Sequence, residues 1–446
     1  MLTHLRTPLC ALGVLSLLAL APGLAAEPAE KAQAPLPLED LRTFTRVFDH
    51  IRNGYIDEVS DSQLLEYAIK GMLTELDPHS SYLDKTAYEN LQVNTTGEFG
   101  GVGVEIGLEN GFIKIISPID GTPAQRAGIE AGDLIMRLDD KPVKGMSISE
   151  AVDMMRGPKG SKLRMHILRS GVEKPFEVTI ERDIIKVQSV RTRLIDKDYL
   201  YVRMAQFQLD SGKDLMRRIT EQMVKHPQIK GIVLDLRNNP GGVLQASVEV
   251  ADAFLDAGLV VYTEGRIENS NTRYQANPGD ITQGLPLVVL INEGSASASE
   301  IVAGALQDHK RAVIMGTRSF GKGSVQTVIP ITEEKAVKLT TALYFTPSGR
   351  SIQAQGIEPD VVVERAEVKA IRAGATPTEA DLSGHLRNRN GGSESDSRSR
   401  QQERSAEAPG DNQLQEAVNL LKGLHIFRQQ SPAPQPNLTE PSEEQI

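Results

Sequence analysis

The sequence predicts a mixed α/β protein built from several domains, and three observations lead to this. The chain has 446 residues, which is too many for one ordinary hydrophobic core. Between residues 95 and 185 short β-like runs are separated by glycines, and from residue 199 onward apolar strands alternate with amphipathic helices. The apolar fraction of 39% and the charged fraction of 24% are typical of a globular protein.

Residues 1–26 have the pattern of a secretory signal peptide. A basic start precedes an apolar run over residues 9–20, and small residues follow. We expect cleavage near Ala25 or Ala26 and export to the periplasm; an uncleaved anchor that keeps the protein at the membrane is the alternative. The only cysteine, Cys10, lies in this segment, so we expect a mature chain without disulfides or thiolate chemistry.

An N-terminal helical region is predicted at residues 27–95. Apolar residues recur at helical spacing from Leu41 to Ile51 and again from Leu64 to Leu73. Each helix therefore has one apolar face. Packing on the rest of the chain and contact with a second copy explain these faces equally well.

Four further segments complete the predicted organisation. Residues 96–185 have the size of a small β-rich domain, with one helix beginning at Ser149. Residues 186–366 predict a layered α/β core. The polar, repetitive stretch 367–410 predicts a flexible linker, and residues 411–446 a C-terminal helix and tail.

The charge of the chain excludes one class of partner. The net charge is −10, and lysines and arginines form no stripe along the sequence. A nucleic-acid-binding protein needs such a basic surface, so we expect no nucleic-acid partner.

A candidate nucleophile lies in the small-residue turn from Asn292 to Ile301. Ser297 falls where a buried strand gives way to a helix, and free N–H groups and the helix dipole favour developing negative charge there. A purely structural role explains the same pattern, because Ser297 and Glu300 have the spacing of a capping box. This segment alone does not establish an enzyme.

The nucleophile needs a base, and the nearest histidine does not serve. His309 follows Ser297 by over three helical turns, roughly 18 Å at 1.5 Å per residue. Lys322 lies between two glycines, with Gln326 four residues further on and on the same face. A lysine acts as a base near neutral pH only where desolvation lowers its pKa. The alternative is a flexible glycine loop with an exposed lysine.

A third segment, from Asp235 to Leu244, closes a buried strand with the pair Gly241 and Gly242. Such a turn can leave N–H groups free to bind an oxyanion, together with the amide after the nucleophile. A phosphate-binding loop is the other interpretation, but the segment lacks the Gly-Lys-Ser/Thr ending of that motif.

These segments closely resemble, in content and order, those of the carboxyl-terminal processing proteases. The match extends from about residue 40 to 365, and four motifs carry it, at 235–242, 295–300, 320–326 and 344–353. The resemblance implies a crotonase/Clp-like layered protease core of α/β (α+β multidomain) class, with an inserted β-rich PDZ domain and with N- and C-terminal helical segments.

The resemblance also implies a role for each site residue. Ser297 is the expected nucleophile, Lys322 its base and Gln326 the residue that orients the lysine. The expected oxyanion donors are the Ala298 N–H and one member of the Gly241–Gly242 pair. Neither a metal nor a cofactor is implied.

The β-rich segment resembles the family's PDZ domain. The stretch from Phe99 resembles its carboxylate-binding loop, in which Gly101, Val102, Gly103 and Val104 are expected to bind the C-terminus of a peptide that adds as a strand. An ordinary glycine-rich hairpin is the alternative interpretation.

Together these features predict an exported serine endopeptidase that recognises C-terminal tails of envelope proteins through its PDZ domain. By resemblance, we expect a homo-oligomer and a lipoprotein adaptor with helical repeats. Two functions from other classes are the alternatives. One is a PDZ-containing adaptor that binds peptides without cutting them. The other is a hydratase or acyl-transfer enzyme on a crotonase-like core, which would need a basic cluster for coenzyme A that the sequence lacks.

Overall fold

The computed structural model describes residues 37–267, 270–367, 379, 383–386 and 411–430. The predicted signal peptide with Cys10, and nearly all of the predicted linker, lie outside the described residues. The chain divides into two units, residues 1–68 and residues 69–446. Within the described part, no helix is both long and apolar enough to cross a membrane.

The first unit contains helix α1 (Leu38–Gly54) and the beginning of α2 (Asp61–Thr74). Both helices lie where the apolar spacing predicts them. None of the residues of α1 is buried. Its apolar stripe is exposed by 40 to 65% of the side-chain surface at Leu38, Leu41, Phe44, Val47 and Ile51.

The second unit begins with the end of α2, followed by an irregular segment, a short strand and a helix that lead into the β-rich domain. The strand is β1 (Ser81–Leu83) and the helix is α3 (Lys85–Thr96), which Asp84 caps by accepting a hydrogen bond from the Ala87 N–H at 2.9 Å. The helix ends at Gly97, whose φ of 73° is a left-handed conformation that suits glycine.

The β-rich domain contains a sheet in the order β3-β4-β5-β7-β8, with β6 paired to β5, and a separate pair β2-β9. Strands β2 and β9 run antiparallel, so the chain enters and leaves the domain side by side. Helix α5 begins one residue before the predicted start. The bounds are β2 (Glu98–Gly101), β3 (Val104–Glu109), β4 (Phe112–Pro118), α4 (Pro123–Arg126), β5 (Leu134–Leu138), β6 (Lys141–Pro142), α5 (Ile148–Met155), β7 (Lys162–Leu168), β8 (Phe176–Glu181) and β9 (Asp183–Lys186).

The α/β core is built on a six-stranded sheet in the order β10-β11-β12-β15-β16-β19. Only the β10-β11 pair is antiparallel. The bounds of the elements in this layer are β10 (Val190–Ile195), β11 (Tyr199–Met204), α6 (Ser211–Lys225), β12 (Gly231–Asp235), α7 (Leu244–Asp252), β15 (Leu287–Ile291), α8 (Ala298–Asp308), β16 (Val313–Gly316), β19 (Val361–Val362) and α9 (Asn412–Gln430).

Helices cover both faces of this sheet, which explains its continuous apolar strands. Ile232 and Leu234 of β12 pack in one cluster with α6, α7 and α8, whereas Val233 between them packs in a second cluster with α9. A strand that is buried on both faces is apolar at every position. Helix α7 ends at Asp252, because turns replace helical bonds after that residue and a strand begins at Gly258.

A second sheet, which the sequence pattern did not predict, lies beside the core. Its order is β1-β18-β13-β14, and β17 pairs with β18. It brings the segment before the β-rich domain next to the C-terminal part of the core. The bounds of the remaining strands are β13 (Gly258–Gly265), β14 (Thr272–Ala276), β17 (Ser324–Pro330) and β18 (Ala336–Phe345).

Candidate active site

Ser297 lies at the N-terminus of α8 in a strained backbone conformation. Its φ of 56° and ψ of −112° are uncommon for a residue with a side chain and are typical of functional turns. The neighbouring serines hold the turn in place. The Ser295 hydroxyl donates to the Leu236 carbonyl at 2.8 Å, and the Ser299 hydroxyl donates to the Asn239 carbonyl at 2.9 Å.

Glu300 joins the backbone of Ser297 to the backbone of Lys322. Its Oε2 accepts hydrogen bonds from the N–H groups of Ser297 at 2.7 Å and of Lys322 at 2.9 Å. Its Oε1 accepts from the Gly321 N–H at 2.7 Å and the Ser319 hydroxyl at 2.6 Å. Burial raises the pKa of Glu300, although these four bonds act in the opposite direction. Sequence spacing predicted only the contact with Ser297.

Lys322 is half-buried in the loop that precedes β17. Burial lowers the pKa of its amine, and the positive charge of Lys338 lowers it further, while Glu300 and Asp77 oppose the shift. The amine donates no hydrogen bond to any described residue. The direction of this pKa shift is the one that a lysine base requires.

Gln326 lies on β17 directly opposite Thr340 on β18. Its Nε2 donates to the Ser324 hydroxyl at 3.0 Å and to the Thr340 hydroxyl at 3.3 Å. Among the described residues, its Oε1 accepts no hydrogen bond. The NH₂ group of Gln326 therefore donates to two hydroxyl groups, and its carbonyl oxygen can accept a hydrogen bond from another donor.

Tyr344 is the first residue of the motif at 344–353, and the sequence pattern did not identify it as a site residue. It is fully buried, and its hydroxyl donates to the backbone carbonyl of Lys322. Burial, followed by the charge of Glu300, raises the pKa of Tyr344 well above the ordinary value, and a hydrogen bond with the Ser297 side chain counteracts this. Since the Tyr344 O–H donates to the Lys322 carbonyl oxygen, the Tyr344 oxygen can accept a hydrogen bond from the Ser297 hydroxyl.

The Gly241–Gly242 pair lies beside the nucleophile. A Cβ atom at Gly241, where φ is 101°, would come within 2.8 Å of the Ser297 Cβ and 3.0 Å of the Ala298 nitrogen, so only glycine fits. The Gly241 N–H donates to Asn239 Oδ1 at 3.0 Å. The N–H groups of Gly242 and Ala298, in contrast, find no acceptor in the described part of the chain.

Arg237 fastens this turn to the C-terminal helix. Its Nη2 donates to Asp235 Oδ2 and to Asp411 Oδ2, both at 2.6 Å, and its Nη1 donates to Asp411 Oδ1 at 2.8 Å. Asp235 ends β12, and Asp411 precedes α9. The sequence predicted both segments but not this contact between them.

One acidic group, Asp77, and one basic group, His79, lie in the segment before β1 and interact electrostatically with Lys322. The charge of Asp77 acts on Lys322, and burial together with the charge of Lys322 lowers the pKa of His79. No motif surrounds His79 in the sequence, so the local pattern does not point to this contact. His309 is occupied elsewhere, since its Nε2 lies 2.7 Å from the Leu259 carbonyl oxygen.

The predicted carboxylate-binding loop connects β2 to β3. Gly101 ends β2 and Val104 begins β3, so Val102 and Gly103 form the connection. The Val102 carbonyl accepts a hydrogen bond from the Ala124 N–H at 2.9 Å. The N–H groups of Val102 and Gly103 donate to no described residue, and a peptide carboxylate could accept both.

No group of three or more His, Cys, Asp or Glu side chains in the described residues is arranged to hold a metal ion. The site brings together a half-buried lysine whose pKa is lowered, a serine in a strained conformation and two N–H groups that have no acceptor among the described residues, an arrangement that suits acyl transfer.

Comparison with known proteins gives matches over most of the chain. The family model of peptidase family S41 matches residues 198–363, and that of the PDZ domain matches residues 114–169. The model of the activating protease CtpB N-terminal domain matches residues 22–87.

Two curated proteins are similar to most of this chain. A carboxy-terminal-processing protease of Bartonella bacilliformis is 49% identical over 389 residues, which cover 86% of this chain and 89% of that protein. The carboxy-terminal processing protease CtpA of Bacillus subtilis is 34% identical over 321 residues, covering 72% and 68%. A solved photosystem II D1 C-terminal processing protease is 31% identical over 73% of this chain and 92% of that chain, with a TM-score of 0.43.

Proposed function

Since this chain belongs to the carboxyl-terminal processing proteases, the serine-type peptidases of family S41 that carry a PDZ domain, we propose that Ser297 and Lys322 form its catalytic dyad and that it cuts the C-terminal tails of envelope proteins. The family itself follows from the comparisons and confirms the resemblance carried by the four motifs. The dyad and the substrates are the proposed part.

In this mechanism the Ser297 oxygen attacks the peptide carbonyl carbon while its proton passes to the neutral amine of Lys322. For this transfer the hydroxyl exchanges its contact with Tyr344 for one with Lys322. The C–N bond of the peptide then breaks, Lys322 donates its proton to the departing amine, and the acyl group stays on Ser297 as an ester. Lys322 next deprotonates a water molecule that attacks this ester, and the proton returns to the Ser297 oxygen as the acid product leaves. Gln326 orients the amine. The lowered pKa of Lys322 supports its role as the base.

The oxyanion is bound by two backbone N–H groups in this proposal. Ala298 supplies one because it follows the nucleophile at the start of α8. Gly242 supplies the other, since the N–H of Gly241 already donates to Asn239. Two such donors at the position where negative charge develops stabilise the transition state by several kcal/mol, about 3 kcal/mol for each.

The observation that carries the proposal is the shared contact of Ser297 and Lys322 with Glu300, which fixes the two chain segments relative to each other. The experiment is a comparison of the exported proteome in cells with the wild-type enzyme and with the Ser297→Ala enzyme. Substrates should accumulate with intact C-termini in the variant. A non-catalytic PDZ adaptor predicts identical proteomes.

Periplasmic location is part of the proposal and is supported by the signal-peptide pattern of residues 1–26. The measurement is the intact mass of purified exported protein, which should lack roughly the first 25 residues. A retained N-terminus would favour the membrane-anchored alternative.

The PDZ domain implies protein substrates that present a peptide end. We add two finer proposals, a homo-oligomer and a lipoprotein adaptor with helical repeats. The exposed apolar stripe of α1 supports the first, because isolated proteins rarely leave such a stripe in water. Light scattering on the purified enzyme and on a Phe44→Glu variant tests it, with a smaller assembly expected for the variant.

A further inference from the structure

Asp77 lies in the segment before β1 and accepts four hydrogen bonds. Its Oδ1 accepts from the N–H groups of His79 at 2.8 Å and Ser80 at 3.0 Å and from the Thr340 hydroxyl at 3.1 Å, and its Oδ2 accepts from the Ser80 hydroxyl at 2.6 Å. Burial works against ionisation, but these hydrogen bonds bring the pKa of Asp77 below its ordinary value. Asp77 is therefore ionised near neutral pH and can only accept.

The ionised state of Asp77 decides the direction of the next hydrogen bond. A threonine hydroxyl has one proton, and Thr340 gives it to Asp77. The Thr340 oxygen must therefore accept in its contact with Gln326, whose Nε2 lies 3.3 Å away. The Ser80 hydroxyl, itself bonded to Asp77, accepts the Thr340 backbone N–H at 3.1 Å and holds the strand in register.

The direction of these hydrogen bonds determines which end of the Gln326 amide can interact with Lys322. Because the NH₂ group of Gln326 is committed to Thr340 and Ser324, its carbonyl oxygen is the end of the amide that remains for Lys322. Only that end can accept a hydrogen bond from an amine or ammonium group. A flipped amide would present two donors to a group that is itself a donor.

We propose that Asp77 is a positioning residue of the active site, which acts through Thr340 to fix the amide orientation of Gln326 that Lys322 requires. This inference rests on the proposed roles of Ser297 and Lys322. It assigns a function to a segment that lies 263 positions from Thr340 in the sequence and that no site motif includes.

Asp77 also belongs to the set of charges around Lys322. Lys338 from β18 disfavours the charged form of Lys322, whereas Glu300 from α8 and Asp77 favour it, and the charge of Lys322 in turn helps to lower the pKa of His79 from the same segment as Asp77. Removing the Asp77 charge should therefore make Lys322 lose its proton at lower pH. A residue with only a structural role would leave this pH dependence unchanged.

The test is the rate at which a fluorophosphonate labels the full-length enzyme, measured as a function of pH. Thr340→Val keeps the shape and the Asp77 charge but removes the hydroxyl, so labelling should slow by about tenfold or more without a change in pH dependence. Thr340→Ser should recover most of the rate. Asp77→Asn should slow labelling and move the acidic limb of the profile to lower pH.

The matched control is Asp84→Asn. Asp84 follows β1 and caps α3, so this variant also removes one negative charge near β1 but leaves Asp77 in place. It should label with the wild-type profile. Wild-type rates in Thr340→Val, or an acidic limb in Asp77→Asn that coincides with that of the wild type, would overturn the inference. Labelling of Ser297→Ala at the wild-type rate would instead overturn the proposed nucleophile, so the two failures are distinguishable.

Discussion

The backbone N–H of Ser297 and the backbone N–H of Lys322 donate to one oxygen atom, Oε2 of Glu300, at 2.7 and 2.9 Å. The two residues are on different elements, and their relative position is therefore set by a single buried carboxylate. Because protein interiors are closely packed and do not deform freely, loss of this contact should change the position of Ser297 relative to Lys322.

Glu300→Gln should slow fluorophosphonate labelling by about 100-fold. An amide NH₂ group in place of either oxygen would face N–H or O–H donors, and a donor cannot accept their hydrogen bonds. We also expect a loss of about 2–3 kcal/mol in the free energy of unfolding, since buried donors remain unsatisfied. Labelling kinetics and urea unfolding are the measurements. Glu249→Gln is the matched control, because Oε2 of Glu249 is buried and has no hydrogen-bond partner within the described part of the chain. Wild-type labelling of Glu300→Gln would contradict the prediction.

Among the three serines of the turn, only Ser297 should be labelled. Ser297→Ala should abolish labelling, whereas Ser295→Ala and Ser299→Ala should retain it. Each of the latter two should cost about 1 kcal/mol of stability, since both hydroxyls are buried and donate to backbone carbonyls. Peptide mass mapping of the labelled enzyme checks the site. A label found on Ser295 or Ser299 would refute the assignment.

Lys338→Met should move the acidic limb of the labelling profile to higher pH. The positive charge of Lys338 helps to lower the pKa of Lys322, so its removal raises that pKa and the neutral amine then forms only at higher pH. Lys338→Arg keeps the charge and should keep the profile. The idea fails if Met and Arg variants give superimposable pH profiles.

A peptide with a free C-terminal carboxylate should bind the full-length Ser297→Ala enzyme more tightly than the same peptide amidated. The two unbonded N–H groups of Val102 and Gly103 should make a charge-assisted contact worth about 1.5–3 kcal/mol, which corresponds to a factor of roughly 10–150 in Kd. Calorimetry with a decapeptide that ends in small apolar residues measures this difference. Equal affinities would mean that the loop is an ordinary hairpin.

The parts of the fold that depend on local pattern were predictable from the sequence. The strands β12 and β15 are continuous apolar runs and α6 has one buried face, so period and burial identified them. Helix α8 is buried at every position from Ala298 to Leu306. The sheet that contains β13, β14, β17 and β18 was missed because its strands are mostly half-exposed and irregular in pattern. Such strands gain their order from distant partners, and local propensity says little about them.

The site divides in the same way. Ser297, Lys322 and Gln326 lie in short motifs, and the structure places them within one hydrogen-bonded and charge-coupled region. The contacts of Tyr344 with Ser297 and Lys322, and of Asp77 with Thr340, join positions far apart in the chain. Nothing in the local sequence around Asp77 or Tyr344 records those partners, so only the assembled fold reveals them.

The clamp between Arg237 and Asp411 has a consequence for the order in which the enzyme matures. The turn that carries Gly241 and Gly242 is anchored by the carboxylate of Asp411, which follows Arg237 by 174 positions and therefore leaves the ribosome well after it. The second cluster of the core also waits for Leu414 and Leu421 of α9. A nascent chain therefore carries its nucleophile long before it can close the turn beside it, and a truncated product that lacks α9 would retain the serine without its supporting frame.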